Sequence, residues 1–177
     1  MLYGILGAVV LIIIGVLAYA ASKPNTFRIE RSIIIDTPPG PIFEILSDFH
    51  QSTHWSPWEK LDPNATLTHS GAPRGVGAIF EWEGNDKMGQ GRQEILEATP
   101  PSRVLIQLDF FRPFKARNTA EYTLTAQGNT THVNWAMFGP QPFMRKVVCL
   151  FMNIDEMVGK DFEKGLSNLK AYVEGAK

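Results

Sequence analysis

The chain has 177 residues, 44% hydrophobic and 20% charged, with eleven Phe, four Trp and four Tyr; this is the make-up of a globular protein and excludes disorder. Seventeen basic against eighteen acidic side chains give a formal net charge of -1, carried wholly beyond residue 22, and leave no basic stripe for nucleic acid. One cysteine, Cys149, rules out an intramolecular disulfide and supplies no thiolate cluster for a metal.

Residues 2–21 read LYGILGAVVLIIIGVLAYAA, without a charge and at the length of a bilayer-crossing helix. Tyr3 and Tyr19 stand near its ends, where amphipathic rings prefer the interface. Residues 1–22 are therefore expected to be a single-pass transmembrane anchor, and residues 23–26 a linker too short to let the domain leave the lipid surface. The alternative is a signal peptide followed by export, because Ala18-Tyr19-Ala20 resembles a cleavage site. Against it, no Lys or Arg precedes the apolar run. Lys23, Arg28 and Arg31 follow the span, so the positive-inside rule puts the soluble domain on the cytoplasmic side.

Phe27, Ile29, Ile33 and Ile35 alternate with Arg28, Glu30, Ser32 and Asp36, the period of a strand with one buried face. After Thr37-Pro38-Pro39, Ile42, Phe43, Ile45 and Leu46 recur at helical spacing, with Thr37 available as a cap and the prolines tolerated in a first turn. The irregular stretch 49–62 holds two His, two Trp and Pro57 and is expected to form a second short helix and a loop. Six strands are predicted next, at 66–70, 77–83, 87–98, 103–110, 116–126 and 130–138. Gly84-Asn85-Asp86, Pro100-Pro101, Arg112-Pro113 and Gln127-Gly128-Asn129 turn the chain between the long ones, and connections this short make an antiparallel meander.

Beyond Gly139-Pro140 the apolar residues Val147, Leu150, Phe151, Ile154, Met157, Val158, Phe162, Leu166, Leu169 and Val173 predict one long amphipathic helix. Two short helices cannot cover a seven-stranded sheet, whereas a curved sheet gripping one long helix can. The fold class expected is α+β.

This order resembles the helix-grip fold of the START, polyketide cyclase and birch-pollen-allergen proteins. Four stretches are similar to the polyketide cyclase/dehydrase, or SRPBCC, subgroup: Arg31-Ser32 with Ile33, Ile34 and Ile35; Trp55-Ser56-Pro57-Trp58 with Asp62-Pro63; Gly84-Asn85; and residues 151–166. The resemblance covers about residues 27–174, essentially the whole of the soluble domain expected at residues 27–177, and implies a cavity for a hydrophobic ligand between sheet and long helix. It implies no particular reaction, since fold alone does not set function.

Seven residues are candidates for the cavity. Trp55 and Trp58 fall where its mouth is expected and either gate a ligand or plug the core. Phe80, Trp82 and Trp135 are expected on the inward face of their strands, as cavity wall or as core, with Met157 facing them from the helix. Arg92 is the charge to watch: paired with Glu94 or Glu81 it would orient a polar head if it faced inward, and it is a solvated charge if it faced out. His50 and His54 stand four apart without a third ligand at recognisable spacing, so no metal is expected. The glycine-rich run 71–77 lacks the Gly-Lys-Ser/Thr of a phosphate loop, and no cofactor is expected. Catalytic residues are not identifiable. The leading expectation is a membrane-tethered binder of a hydrophobic small molecule or lipid. The alternatives are a cyclase/dehydrase-type enzyme using acid/base chemistry and an interaction protein whose interior is filled by side chains.

Overall fold

The computed structural model describes residues 2–175; residues 1, 176 and 177, taken in by the expected anchor and domain boundaries, lie outside the described residues. Helix α1 covers Leu2–Ser22, and its 21 residues rise about 30 Å, enough to cross a hydrocarbon core. A signal sequence near the N-terminus meets the same description. Strand β1 (Thr26–Ile35) follows, then α2 (Pro39–Leu46), a 3-10 turn (Phe49–Gln51) and α3 (Ser52–Trp55). Strands β2 (Thr66–Gly71), β3 (Ala78–Glu83), β4 (Gln90–Thr99), β5 (Arg103–Arg112), β6 (Ala116–Gln127) and β7 (Thr130–Pro140) come next, and α4 (Phe143–Cys149) and α5 (Ile154–Gly175) close the chain.

The seven strands form one antiparallel sheet in the order β1-β7-β6-β5-β4-β3-β2. Period-2 alternation gives it a concave apolar face carrying Ile29, Ile35, Phe80, Trp82, Val104, Ile106, Leu108, Tyr122, Leu124, Val133 and Trp135. A register shift between Ile95 and Glu97 in β4 adds curvature. Helix α5 lies in the trough with Phe162, Leu166, Leu169 and Val173 buried against it.

Two sequence expectations are corrected. The C-terminal apolar stripe belongs to two helices, because the chain leaves α4 at Cys149 and begins α5 at Ile154. Asn153 caps the new start: its Oδ1 accepts from the Glu156 backbone N–H at 3.1 Å while its Nδ2 donates to Glu156 Oε2 at 3.3 Å. Thr37 does not cap α2. Pro38 holds the cap position without a side-chain hydrogen bond, and the Thr37 carbonyl accepts instead from the buried Thr131 hydroxyl at 2.7 Å.

Two glycines let α5 approach the sheet. A Cβ at Gly159 would stand 2.0 Å from Arg31 Nη2, and one at Gly165 would stand 2.8 Å from the Trp135 ring. The close approach that Gly159 permits lets Arg31 reach Asp155 (3.0 Å) and Glu163 (2.9 Å), one turn before and after it. The register also gives the sheet two distinct ends. The beginnings of β1, β6 and β4 lie beside the ends of β7, β5 and β3, through Thr26↔Pro140, Phe110↔Ala116, Gln90↔Arg112 and Glu83↔Gln90.

Candidate functional site

Sheet and helix do not close completely on one another. A cavity of about 340 Å³ remains between them, within the range of small-molecule sites. Its floor is the concave face, where Phe80, Trp82, Ile106, Leu108, Phe110, Tyr122 and Trp135 alternate inward. Its roof is Val158 and Phe162 of α5, and its side is α2, α3 and the loop after them. The wall is mostly apolar.

Aromatic contacts fix its shape. Trp135 stacks on Phe162 with centroids 4.2 Å apart and planes 3° from parallel, joining floor to roof. Trp55, Tyr122 and Trp135 form a triangle with centroids 5.1 to 6.1 Å apart, and Trp58 meets Trp135 edge-on at 5.3 Å. Trp82 needs room on β4, and Gly91 provides it, because a Cβ there would lie 2.3 Å from the Trp82 ring. Asn168 of α5 donates to the Trp55 carbonyl at 3.0 Å and ties α3 to the roof.

Of the seven candidate residues, Trp55, Trp58, Phe80, Trp82 and Trp135 come together on the cavity wall. Trp55 is buried within it, and Trp58 stands nearer the surface with its Nε1 donating to Asp161 at 3.4 Å. Met157 and Arg92 do not join them. Met157 is 53% exposed, and its neighbour Val158 lines the cavity in its place. Arg92 lies on the convex face, where it donates to Glu94 at 2.8 Å and stands opposite Glu81 and Asp109 in the register. Strand parity decides this, because Gly91 and Gln93 take the inward positions on either side of it. His50 and His54 also diverge: the first stacks on His69 at 4.3 Å and the second on Tyr172 at 4.8 Å.

The polar groups of the wall are ones that sequence reasoning missed. Glu59 lines the cavity; one of its oxygens accepts from the Ser52 hydroxyl, while the other is buried without a partner. Burial raises its pKa above the ordinary carboxylate range, outweighing the opposing Ser52 bond and the nearby His54. The Tyr122 hydroxyl, fully enclosed, is pushed well above its usual value by burial. The indole N–H groups of Trp55 and Trp135 are buried without a hydrogen-bond acceptor. Glu59 follows Trp58 in a stretch without periodicity, so nothing in the sequence assigns it a direction. Tyr122 was legible from the alternation of β6.

The sequence matches the family described as polyketide cyclase / dehydrase and lipid transport over residues 26–174. No curated protein matches the chain. Among solved structures it is similar to protein CV1439 from Chromobacterium violaceum, with 18% identity, 86% of this chain and 99% of that chain covered, and a TM-score of 0.58. It is also similar to Ara h 8.0201, with 11% identity, 85% and 99% coverage and a TM-score of 0.56. The di-domain ARO/CYC StfQ from the steffimycin biosynthetic pathway is alike over 85% of this chain and 51% of that one, with 10% identity and a TM-score of 0.62. These likenesses carry the fold, and the family match over most of the chain carries the assignment: the protein belongs to the polyketide cyclase/dehydrase and lipid transport family of SRPBCC domains.

Proposed function

We propose that the chain is a membrane-tethered binding domain that holds a hydrophobic small molecule or lipid between its sheet and α5, with α1 as the tether and the domain on the cytoplasmic side. The observation that carries this reading is the enclosed, mostly apolar cavity of about 340 Å³ walled by five aromatic candidates. A core meant only for stability would be filled to crystal-like density. The family's description includes lipid transport, which favours an apolar ligand. Lys23, Arg28 and Arg31, which follow α1 in the chain, support the orientation.

A second reading, acid/base chemistry on a small apolar or aromatic substrate, draws on one observation. Glu59 is a half-buried carboxyl at the cavity wall whose pKa is raised by burial and one of whose oxygens has no partner, which favours its protonated form over that of an exposed carboxyl. Native mass spectrometry of the full chain released from membranes tests the first reading. A co-purifying apolar molecule at one-to-one stoichiometry is expected. An empty chain that also fails to take up N-phenyl-1-naphthylamine in lipid nanodiscs overturns it.

A further inference from the structure

The cavity's exposed lining residues mark its mouth: Leu61, Lys87, Arg112, Pro113 and Asp161. Lys87 sits in the turn between β3 and β4, Arg112 and Pro113 at the turn between β5 and β6, and Asp161 in the N-terminal half of α5. Both turns lie at the end of the sheet where β1 begins, as the pairs Gln90↔Arg112 and Thr26↔Pro140 show. Helix α5 starts at the same end, since Asp155 meets Arg31 while Lys170, farther along, donates to the Ile34 carbonyl.

That end is also where α1 arrives. Residues 23–25 join α1 to β1, and they are held rather than loose. The buried Lys146 of α4 donates to the Lys23 carbonyl and to Asn25 Oδ1, both at 2.7 Å, and the Gln141 N–H reaches the Asn25 carbonyl at 2.7 Å. Helix α1 itself packs against α4.

The same end carries the domain's exposed aromatic rings. Outside α1 the exposed phenylalanines among the described residues are Phe111 at the end of β5, Phe114 on the β5–β6 turn, Phe143 on α4 and Phe151 after it. Phe114 is 82% exposed and Phe151 75%, and Met144, next to Phe143 on α4, is 70% exposed. Large apolar side chains exposed elsewhere, Ile34, Val76 and Leu96, include no aromatic ring. Lys87 and Lys115 flank the aromatic turn with ammonium groups suited to lipid phosphates, beside the Arg112–Glu83 pair.

We infer that the cavity mouth is seated on the lipid bilayer that α1 crosses, with the β5–β6 turn and the α4–α5 connection dipping their phenylalanines into its interfacial layer. A short, anchored linker holds this face at the lipid surface, and rings that would otherwise face water gain an apolar environment there. A ligand dissolved in the bilayer then enters without crossing water. The seating rests on the reading of α1 as a retained span; the loading route rests in addition on the ligand-binding reading.

The test uses the full chain with Cys149→Ser, reconstituted in phosphatidylcholine vesicles containing phosphatidylglycerol. An environment-sensitive label is placed in turn at Phe114→Cys, Phe151→Cys and, at the far end of the sheet, Val76→Cys. Labels at 114 and 151 are expected to emit at shorter wavelength and to be quenched by lipids carrying doxyl groups near the headgroup, while the label at 76 is not. If all three labels behave alike and solvent-like in chains that resist alkaline extraction, the seating is wrong. Extraction by alkali removes the span and overturns the proposal at its base. In a second arm, Phe114→Glu should slow uptake of N-phenyl-1-naphthylamine already dissolved in the vesicles several-fold without changing the amount bound at equilibrium. An unchanged uptake rate overturns the loading route. Lipid-quenched labels on a chain that takes up no probe keep the seating and remove the ligand-binding reading.

Discussion

Alternate residues of the same strands build two very different surfaces. On β4 and β5, Gln93, Ile106, Leu108 and Phe110 face α5 and line the cavity. One residue away, Arg92 meets Glu94 at 2.8 Å, and Asp109 receives Arg117 at 2.7 Å and Gln107 at 2.8 Å. The two faces also treat a carboxyl in opposite ways. Burial would raise the Asp109 pKa, but hydrogen bonds from Arg117 and Gln107 overcome it and the group ends below its ordinary value. Glu59, on the cavity side, has a single hydroxyl partner against its burial and ends above. The convex face thus supplies Asp109 with charged and amide donors, whereas on the cavity side one Glu59 oxygen and the Trp55 and Trp135 indole N–H groups are buried without a partner.

The comparison can be broken most severely at the joint between floor and roof. Phe162→Ala removes a buried ring stacked on Trp135 and should cost about 3 to 5 kcal/mol of stability, read by denaturant unfolding. A much smaller loss would mean that α5 does not lean on the floor there.

Filling the void should separate binding from stability. Ala120 lines the cavity, so Ala120→Leu should lower affinity for N-phenyl-1-naphthylamine at least tenfold, about 1.4 kcal/mol, while stability changes by less than about 1 kcal/mol. Energy transfer from tryptophan to the probe in nanodiscs measures it. Equal affinity in the filled variant would put the probe elsewhere.

The two carboxyls predict opposite pH responses. The folded state holds the Glu59 proton more tightly than the unfolded chain, so stability from this group is present below the unfolded pKa and lost as pH rises through the raised folded value. Asp109 contributes stability above its unfolded pKa, lost as pH falls through the depressed folded value. Glu59→Gln should therefore gain stability over the parent chain as pH rises from 4 to 7 (a window set by carboxylate titration, roughly). Parallel stability curves for the two proteins would place Glu59 in solvent.

The smallest effect is expected on the convex face. Arg92→Gln breaks a single partly exposed pair and should change stability by about 1 kcal/mol or less, with no effect on probe affinity. A loss of affinity would restore Arg92 to the cavity.

Where the sequence misled, two physical causes recur. On β4 the neighbours Ile95 and Leu96 are both apolar and the strand is irregular between Ile95 and Glu97, so the alternation that would assign Arg92 to a face is blurred. On the C-terminal segment the apolar spacing runs on from α4 into α5. The Asn153-x-x-Glu156 cap was present in the sequence, but a spacing read as continuous hides a start signal in its middle. Met157 shows the same limit, for a stripe read at three-or-four spacing does not distinguish it from Val158 until the helix is docked.

The sequence by itself determined the apolar N-terminal helix, the seven strands with their antiparallel order, and the helical C-terminus, because each is written in local periodicity and turn chemistry. Family membership was legible for the same reason, in short strings of residues. The tertiary structure alone decided that Glu59 and Tyr122 share a wall with Trp55, Trp82 and Trp135, that Gly91 and Gly165 are small to admit rings from other elements, and that the mouth opens at the end where α1 arrives. These depend on the distance left between a curved sheet and the helix laid across it. That distance is set by side chains far apart in the chain, and no local pattern records it.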